Sequence, residues 1–181
     1  QHHNNQNDVG TLLGFIKEKR LQGIICLGGN FVDLKDEDLE EVDVPIVLVS
    51  VEAAIKKNLK KCSSISINNR KAAFMATEYL IERGCQSIVC IKGPQYRYSA
   101  RARYQGYVDV CQERNIPMQS VECDYDFNQG LSMTEELLEK YPDVDGIIAC
   151  NDIVAISTYK VLYKKNISVP DQVQLVGFDD I

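Results

Sequence analysis

Continuous apolar runs alternate with helix-forming stretches along nearly the whole chain, and this rhythm constrains the fold more than any other feature. Behind Asp8, a residue able to cap a helix, Val9, Leu12, Leu13 and Ile16 recur at helical spacing. Gly23–Leu27 is apolar throughout and ends at Gly28 and Gly29, which reads as a buried strand. A short acidic helix is expected around Asp36–Glu41, with strands at Pro45–Ser50 and Ser63–Ile67. The pattern is cleaner afterwards. A helix over Arg70–Arg83 carries Ala72, Ala73, Ala76, Tyr79 and Leu80 on one stripe and stops at Gly84. Strands Ser87–Ile91, Val121–Asp124, Gly146–Cys150 and Val173–Phe178 then interleave with helices Ala100–Glu113, Leu131–Lys140 and Ile153–Lys164. Strands that are apolar on both faces require helices on both sides of a parallel sheet. With right-handed crossovers, the expected architecture is a doubly wound α/β layer. Val51–Cys62 shows no clear element, and that stretch and the Asn68–Asn69 junction are the candidate boundaries between two lobes.

Composition narrows the function classes. The chain has 181 residues, a formal net charge of −6 and seven cysteines, with no Cys-x-x-Cys pair among them. An acidic chain is a poor platform for DNA phosphates, so any DNA contact has to come from residues outside it. Cys26, Cys90 and Cys150 sit inside apolar runs, as small buried hydrophobes do, which fits a reducing, cytoplasmic setting better than a disulfide framework. No apolar run reaches the ~20 residues that cross a bilayer. Gln1–Asp8 lacks the basic start and apolar stretch of a secretory signal and reads as the ragged beginning of a fragment.

In an open parallel sheet, ligands bind beyond the carboxyl ends of the strands. Polar and aromatic residues collect there: Lys92, Gly93 and the run from Tyr96 to Arg103 after one strand, Tyr125 after the next, then Asn151 with Asp152, and Asp179 with Asp180. Parallel strands place all these exits on one edge. The arginine–tyrosine run admits three readings: a single-strand nucleic-acid contact, a solvated helix start, or a ligand contact. Cations at a helix N-terminus oppose its dipole by ~0.3–1 kcal/mol, which favours a task beyond stability. Arg103 shares a helical stripe with Tyr107, Val110 and Cys111 and so borders the core, whereas Arg101 lies with Gln105, Asp109 and Gln112 towards water. Arg103 is therefore the expected ligand contact, bracketing a ligand with Asp179, which would accept its hydroxyls. Asn151 and Asp152 could equally cap a helix, Asp179 and Asp180 form a turn, and Tyr125 serve packing alone.

Catalysis finds little support. The only histidines, His2 and His3, lie in the polar N-terminal stretch, and no nucleophile elbow, phosphate loop or zinc-ligand spacing is present. No catalytic, metal-ligating or cofactor-binding residue is therefore assigned, and no cofactor is expected.

The stretch Ser64–Ile181 resembles the effector-binding domain of the LacI/GalR family of bacterial transcription regulators. The resemblance rests on Ile67-Asn68-Asn69-Arg70-Lys71-Ala72-Ala73, Tyr79-Leu80-Ile81-Glu82-Arg83-Gly84 and Ser99-Ala100-Arg101-Ala102-Arg103-Tyr104-Gln105-Gly106-Tyr107. It continues through Ala149-Cys150-Asn151-Asp152-Ile153-Val154-Ala155, Val169-Pro170-Asp171-Gln172-Val173 and Val176-Gly177-Phe178-Asp179-Asp180. It implies a two-lobed, type I periplasmic-binding-protein-like fold, each lobe a doubly wound parallel sheet, with a small polar effector such as a sugar in the cleft. Residues 1–67 would then be part of the N-terminal lobe, incomplete here, and residues 68–181 most of the C-terminal lobe. A helix-turn-helix head, absent from this chain, would bind operator DNA, and the regulator would be a homodimer away from any membrane. The resemblance places ligand contacts at Arg103, Asp179, Asn151 and Tyr125, and adds Asn68 and Ser99 to the candidates.

Two departures bear on the ligand. The family usually has Asp where Asn68 stands and often Asp where Ser50 stands, so the first-lobe wall is less acidic than a standard sugar site. Cys85 replaces the usual His, with no functional account. The resemblance also implies that the fragment lacks the first two strands of the first lobe and the C-terminal segments that return to it. Strand Gly23–Leu27 would then be an apolar edge inviting self-association. The competing functions are an extracytoplasmic solute-binding protein on the same fold and an enzyme on a doubly wound sheet.

Overall fold

The computed structural model describes residues 8–19, 21–29, 31, 34–35, 37–40, 42–50 and 62–181. The stretch 51–61, most of the segment in which the sequence shows no clear element, lies outside them, as do His2 and His3. The chain divides into two units, residues 1–67 and 68–181.

In the first unit, helix α1 (Val9–Glu18) is followed by strands β1 (Ile24–Leu27), β2 (Ile46–Val49) and β3 (Cys62–Ile65), with a 3-10 turn at Glu37–Leu39 in place of the expected acidic helix. The strands run parallel in the order β1-β2-β3. Side chains alternate across a pleated strand, so register decides which residues share a face. Ile46 and Leu48 of β2, flanked by Ile24 and Cys26 of β1 and Cys62 of β3, pack with Val9 and Leu12 of α1 and with Phe31, Leu39 and Val42. Leu13 and Ile16 complete the expected stripe of α1 from the margin. Asp8 stands at the start of α1, but its side chain makes no capping bond. On the other face Ile25, Leu27 and Ile65 are 69%, 80% and 63% exposed, with Val47 and Val49 half-buried between them.

The second unit holds α2 (Asn69–Glu82), β4 (Ile88–Lys92), α3 (Tyr98–Arg114), β5 (Gln119–Glu122), α4 (Phe127–Lys140), β6 (Gly146–Ala149), α5 (Asp152–Lys164) and β7 (Gln174–Val176). The four strands are parallel in the order β5-β4-β6-β7. Here both faces are covered. Val89, Ile91, Ile147 and Ala149 point to a core closed by Leu137 of α4 and Val154 and Leu162 of α5. The alternate positions Ile88, Cys90 and Ile148 point to a second core closed by Leu80 of α2 and Tyr107 and Cys111 of α3. Full burial of each such side chain is worth ~1.5–3 kcal/mol, which is why the continuous apolar runs β4 and β6 occupy the centre. The fully buried Tyr107 satisfies its hydroxyl on the backbone: it accepts from the Gln119 amide at 2.9 Å and donates to the Ile88 carbonyl at 2.9 Å or the Gln119 carbonyl at 3.0 Å. That bond ties α3 to the sheet between β4 and β5.

Local chemistry sets the helix ends. Asn68, Asp126 and Asn151 each accept a backbone N–H two or three residues into α2, α4 and α5. Asp126 explains why α4 begins at Phe127, ahead of the apolar stripe that predicts Leu131. Helices α2 and α3 touch backbone to backbone at Gly106, where a β-carbon would run into the Arg70 carbonyl and the Phe74 amide. The buried side of α2 is Ala73, Thr77 and Leu80, while Tyr79, placed on the stripe by spacing, is 52% exposed. Thr77 can take that inner position because its hydroxyl donates to the Ala73 carbonyl at 2.7 Å, leaving only methyl surface to bury.

Candidate functional site

Because β4, β5, β6 and β7 are parallel, the residues that leave their carboxyl ends all emerge on one edge of the sheet. Arg103 reaches that edge from the second turn of α3, and its side chain is only 11% exposed. Helical phase places it above the buried Tyr107, Val110 and Cys111, whereas Arg101 is exposed and donates to the Gln95 carbonyl at 2.7 Å. Three of the guanidinium's five N–H groups are engaged. Nε donates to Asn69 Oδ1 at 2.9 Å, one terminal nitrogen to the Cys150 carbonyl at 2.6 Å, and the other to Asp179 Oδ1 at 3.2 Å. The guanidinium also lies over the Phe178 ring, 4.5 Å from its centroid. One cation thus joins the start of α2, the end of β6 and the exit of β7.

Arg103 and Asp179, the pair expected to bracket a ligand, meet each other at this edge. The two side chains are in direct contact, with 3.2 Å between the guanidinium nitrogen and the carboxylate oxygen. Among the described residues, two N–H groups of Arg103 and the second carboxylate oxygen of Asp179 have no partner. Asp179 reaches Arg103 from a backbone φ of 111°, followed by Asp180 at 60°. A non-glycine residue in that region costs ~1–3 kcal/mol, strain of the kind that collects at binding sites. The turn is strapped to α5, whose Asp152 amide donates to the Phe178 carbonyl at 2.9 Å and whose carboxylate accepts from Ile181 at 3.0 Å.

The remaining candidates divide. Asn151 is buried, and its Oδ1 is engaged by the Val154 amide at 3.0 Å, so its side chain serves the start of α5. It sits one residue beyond the carbonyl that Arg103 holds. Asn68 is exposed, with its Oδ1 engaged by the Lys71 amide at 3.0 Å, and no contact joins it to Arg103. Its neighbour Asn69, which residue patterns did not single out, makes that contact. Phe178 and the Cys150 carbonyl were likewise not anticipated: a ring under a guanidinium and a backbone acceptor leave no mark in spacing.

Tyr125 and Ser99 belong to a second group at the same edge. The Tyr125 ring lies so close to Gly93 that a β-carbon there would sit 2.7 Å from Cε1, which makes glycine necessary at that position. Burial pushes the phenol pKa up, and the Ser99 hydroxyl nearby pulls it down by less. Even so, among the described residues no group stands in hydrogen-bonding geometry to the phenolic oxygen, which is buried. Arg97 lies over this ring and over that of Tyr96, 6.0 and 5.7 Å from their centroids.

The thiols are chemically quiet. Burial raises the Cys150 pKa to about 12 and the Cys85 and Cys123 values to about 11, keeping them protonated at neutral pH. Cys85 donates weakly to the Asp145 carbonyl at 3.4 Å. Among the described residues, no three His, Cys, Asp or Glu side chains are grouped to hold a metal. No described helix is long and apolar enough to cross a membrane. A groove of about 240 Å³ beside α5 and β7 is lined by Asp152, Ala155, Ile156, Tyr159, Leu175, Gly177 and Ile181; of the polar residues expected at the strand ends it takes in Asp152, and neither Arg103 nor Asp179 contributes to it.

Comparison with known proteins adds the lineage. The family described as periplasmic binding protein-like domain matches residues 77–181. The HTH-type transcriptional regulator MalR of Clostridium butyricum is 37% identical over 175 residues, covering 95% of this chain and 52% of that protein. Among solved structures, a sugar-binding transcriptional regulator of the LacI family from Escherichia coli, complexed with phosphate, is 25% identical with a TM-score of 0.81, covering 95% of this chain and 62% of that one. The complex of the transcriptional regulator CelR with cellobiose is 27% identical with a TM-score of 0.74, covering 96% of this chain and 53% of that one. The chain thus spans about half the length of the curated relatives it matches.

Proposed function

The chain belongs to the periplasmic binding protein-like domain family of LacI-type regulators, and from that premise we propose that it is the effector-sensing part of a transcription regulator. Residues 1–67 belong to the N-terminal lobe and residues 68–181 form most of the C-terminal lobe. The effector is a small polar molecule, a sugar or a related metabolite, and the relatives solved with cellobiose and with phosphate support that class. The regulator works in the cytoplasm as a homodimer and meets operator DNA through a helix-turn-helix head outside this chain. It catalyses no reaction. Effector binding changes the affinity of that head for DNA by favouring one conformation over another.

One observation carries the assignment: Arg103 joins three elements at the carboxyl edge of the sheet and still has donors to spare. A guanidinium with two N–H groups unengaged among the described residues, beside a carboxylate with one such oxygen, offers donors and an acceptor side by side, as a pair of sugar hydroxyls requires. In this reading Tyr125 supplies an aromatic face, and Ser99, Asn151 and Asn68 are further contact candidates, although the side chains of Asn151 and Asn68 already cap α5 and α2. Arg103→Ala is expected to weaken effector binding ~10–150-fold, the worth of a charge-assisted hydrogen bond. Isothermal titration with a panel of mono- and disaccharides measures this, with thermal unfolding as the fold control because the same change also releases Asn69 and Asp179. Undiminished affinity in a folded variant refutes the assignment.

A further inference from the structure

Two of the cations at the carboxyl edge, Arg103 and Arg97, are in opposite states. The charge of Arg103 is cancelled by Asp179. Arg97 has no carboxylate within ion-pair distance among the described residues; its guanidinium meets only the faces of Tyr96 and Tyr125. As the residue that opens α3, it also opposes the helix dipole, so its position does not serve the helix. The Tyr125 ring, its centroid 6.0 Å from that guanidinium, carries the phenolic oxygen that, among the buried side-chain polar atoms of the described residues, is the one without a hydrogen-bond partner. Leaving such a group unsatisfied is a standing cost that a ligand acceptor would remove. The hydroxyl is held in its protonated form, so it can donate. An uncancelled guanidinium and an unused O–H share one small region, and both are donors.

We propose that Arg97 and Tyr125 form a subsite for an anionic group, so that the effector is a sugar-like molecule carrying a carboxylate or a phosphate rather than a neutral sugar. The proposal rests on the sensing function assigned above and adds a charge requirement to it. Arg97 is exposed and lies over the ring only through its π-face, so an anion can draw the guanidinium aside and open the phenol to one of its oxygens. Arg97 then provides a bidentate contact and Tyr125 a single one, while the Arg103–Asp179 pair takes the hydroxyls.

Matched ligands test this on the purified chain: glucose against glucose 6-phosphate and glucuronate, ribose against ribose 5-phosphate, and inorganic phosphate alone. Titration calorimetry and thermal shift are read for the parent chain and for Arg97→Ala, Tyr125→Phe and Arg103→Ala. The expected result is at least a tenfold preference for a charged member over its neutral parent, weakening as salt is raised. Arg97→Ala removes that preference, and Tyr125→Phe reduces it by a smaller factor. Equal or tighter binding of the neutral parent overturns the proposal, as does a preference that survives Arg97→Ala. Failure of every anionic probe to raise the melting temperature overturns it too. The two readings fail separately: neutral sugars that bind equally well to Arg103→Ala defeat the sensing assignment, whereas loss of charge preference alone defeats only this subsite.

Discussion

The two units are built from the same kind of strand, yet among the described residues only one of them covers both faces of its sheet. In β4 and β6 of residues 68–181, alternate side chains enter two separate cores, each closed by a pair of helices. In residues 1–67 the α1 side of the sheet is closed, while Ile25, Leu27 and Ile65 on the other side remain largely exposed. An apolar strand therefore states that both its faces need cover, and it does not say where the cover comes from. The carboxyl-edge site belongs to the covered unit, where each polar side chain stands on an element fixed from two sides. Arg103 on α3 holds three partners that come from α2, the end of β6 and the exit of β7, all within this unit.

The largest expected effect tests how tightly that cover fits. At Gly106 a methyl group would meet backbone of α2 on the neighbouring helix. Gly106→Ala should cost about 3 kcal/mol through overpacking. In α1, Gly14 has nothing within 4 Å of the same position. Gly14→Ala should instead stabilise by ~0.5–1 kcal/mol, the helix propensity gain of alanine over glycine. Urea unfolding of both variants measures the contrast. Equal penalties would mean that the helices of the two units are packed alike.

A smaller effect concerns the open face. Ile25 and Leu27 lie on the edge strand β1 and on the uncovered side of the sheet, so two copies can bury them against each other. Fully burying one such side chain is worth ~1.5–3 kcal/mol, an upper limit for a surface contact. The chain should self-associate as concentration rises, and Leu27→Asp should return it to a monomer without lowering its urea midpoint. Sedimentation that shows a monomer for the unsubstituted chain at all concentrations would remove the apolar face from the comparison.

Much of this was legible in the residues, and the exceptions have physical causes. The parallel sheet and its central strands follow from runs such as Ile147-Ile148-Ala149, because burial on both faces allows little else. Strand β5 was displaced: Val121–Asp124 was expected and Gln119–Glu122 is found, since an edge strand with a single buried residue carries a weak apolar signal. At the site, helical phase separates Arg103 from Arg101, because period and burial are linked. The direct contact of Arg103 with Asp179 was not readable. It depends on a left-handed backbone at Asp179, which spacing cannot encode. The uncancelled charge of Arg97 is a property of its surroundings; within the sequence it is one arginine of a run.

The smallest effect asks whether ion pairs rather than buried faces set the second unit apart. Arg70 grips Asp109 across α2 and α3 at 2.6 and 2.9 Å, and Arg114 grips Glu78 at 2.6 and 2.9 Å. Hydrogen bonds from these arginines hold both carboxyls below their ordinary values of 3.8 and 4.5. A depressed folded-state pKa contributes stability that is complete above the ordinary value and is lost as pH falls through the lowered one. Both arginines are more than half exposed, so solvent screens the gain, and the contribution should be slight. Asp109→Asn combined with Glu78→Gln should leave the urea midpoint almost unchanged at pH 7 and flatten its fall below about pH 4. If that double change instead cost as much at pH 7 as Gly106→Ala, the advantage of residues 68–181 would lie in their surface charges. The second layer of helices would then be a lesser cause of the difference between the units.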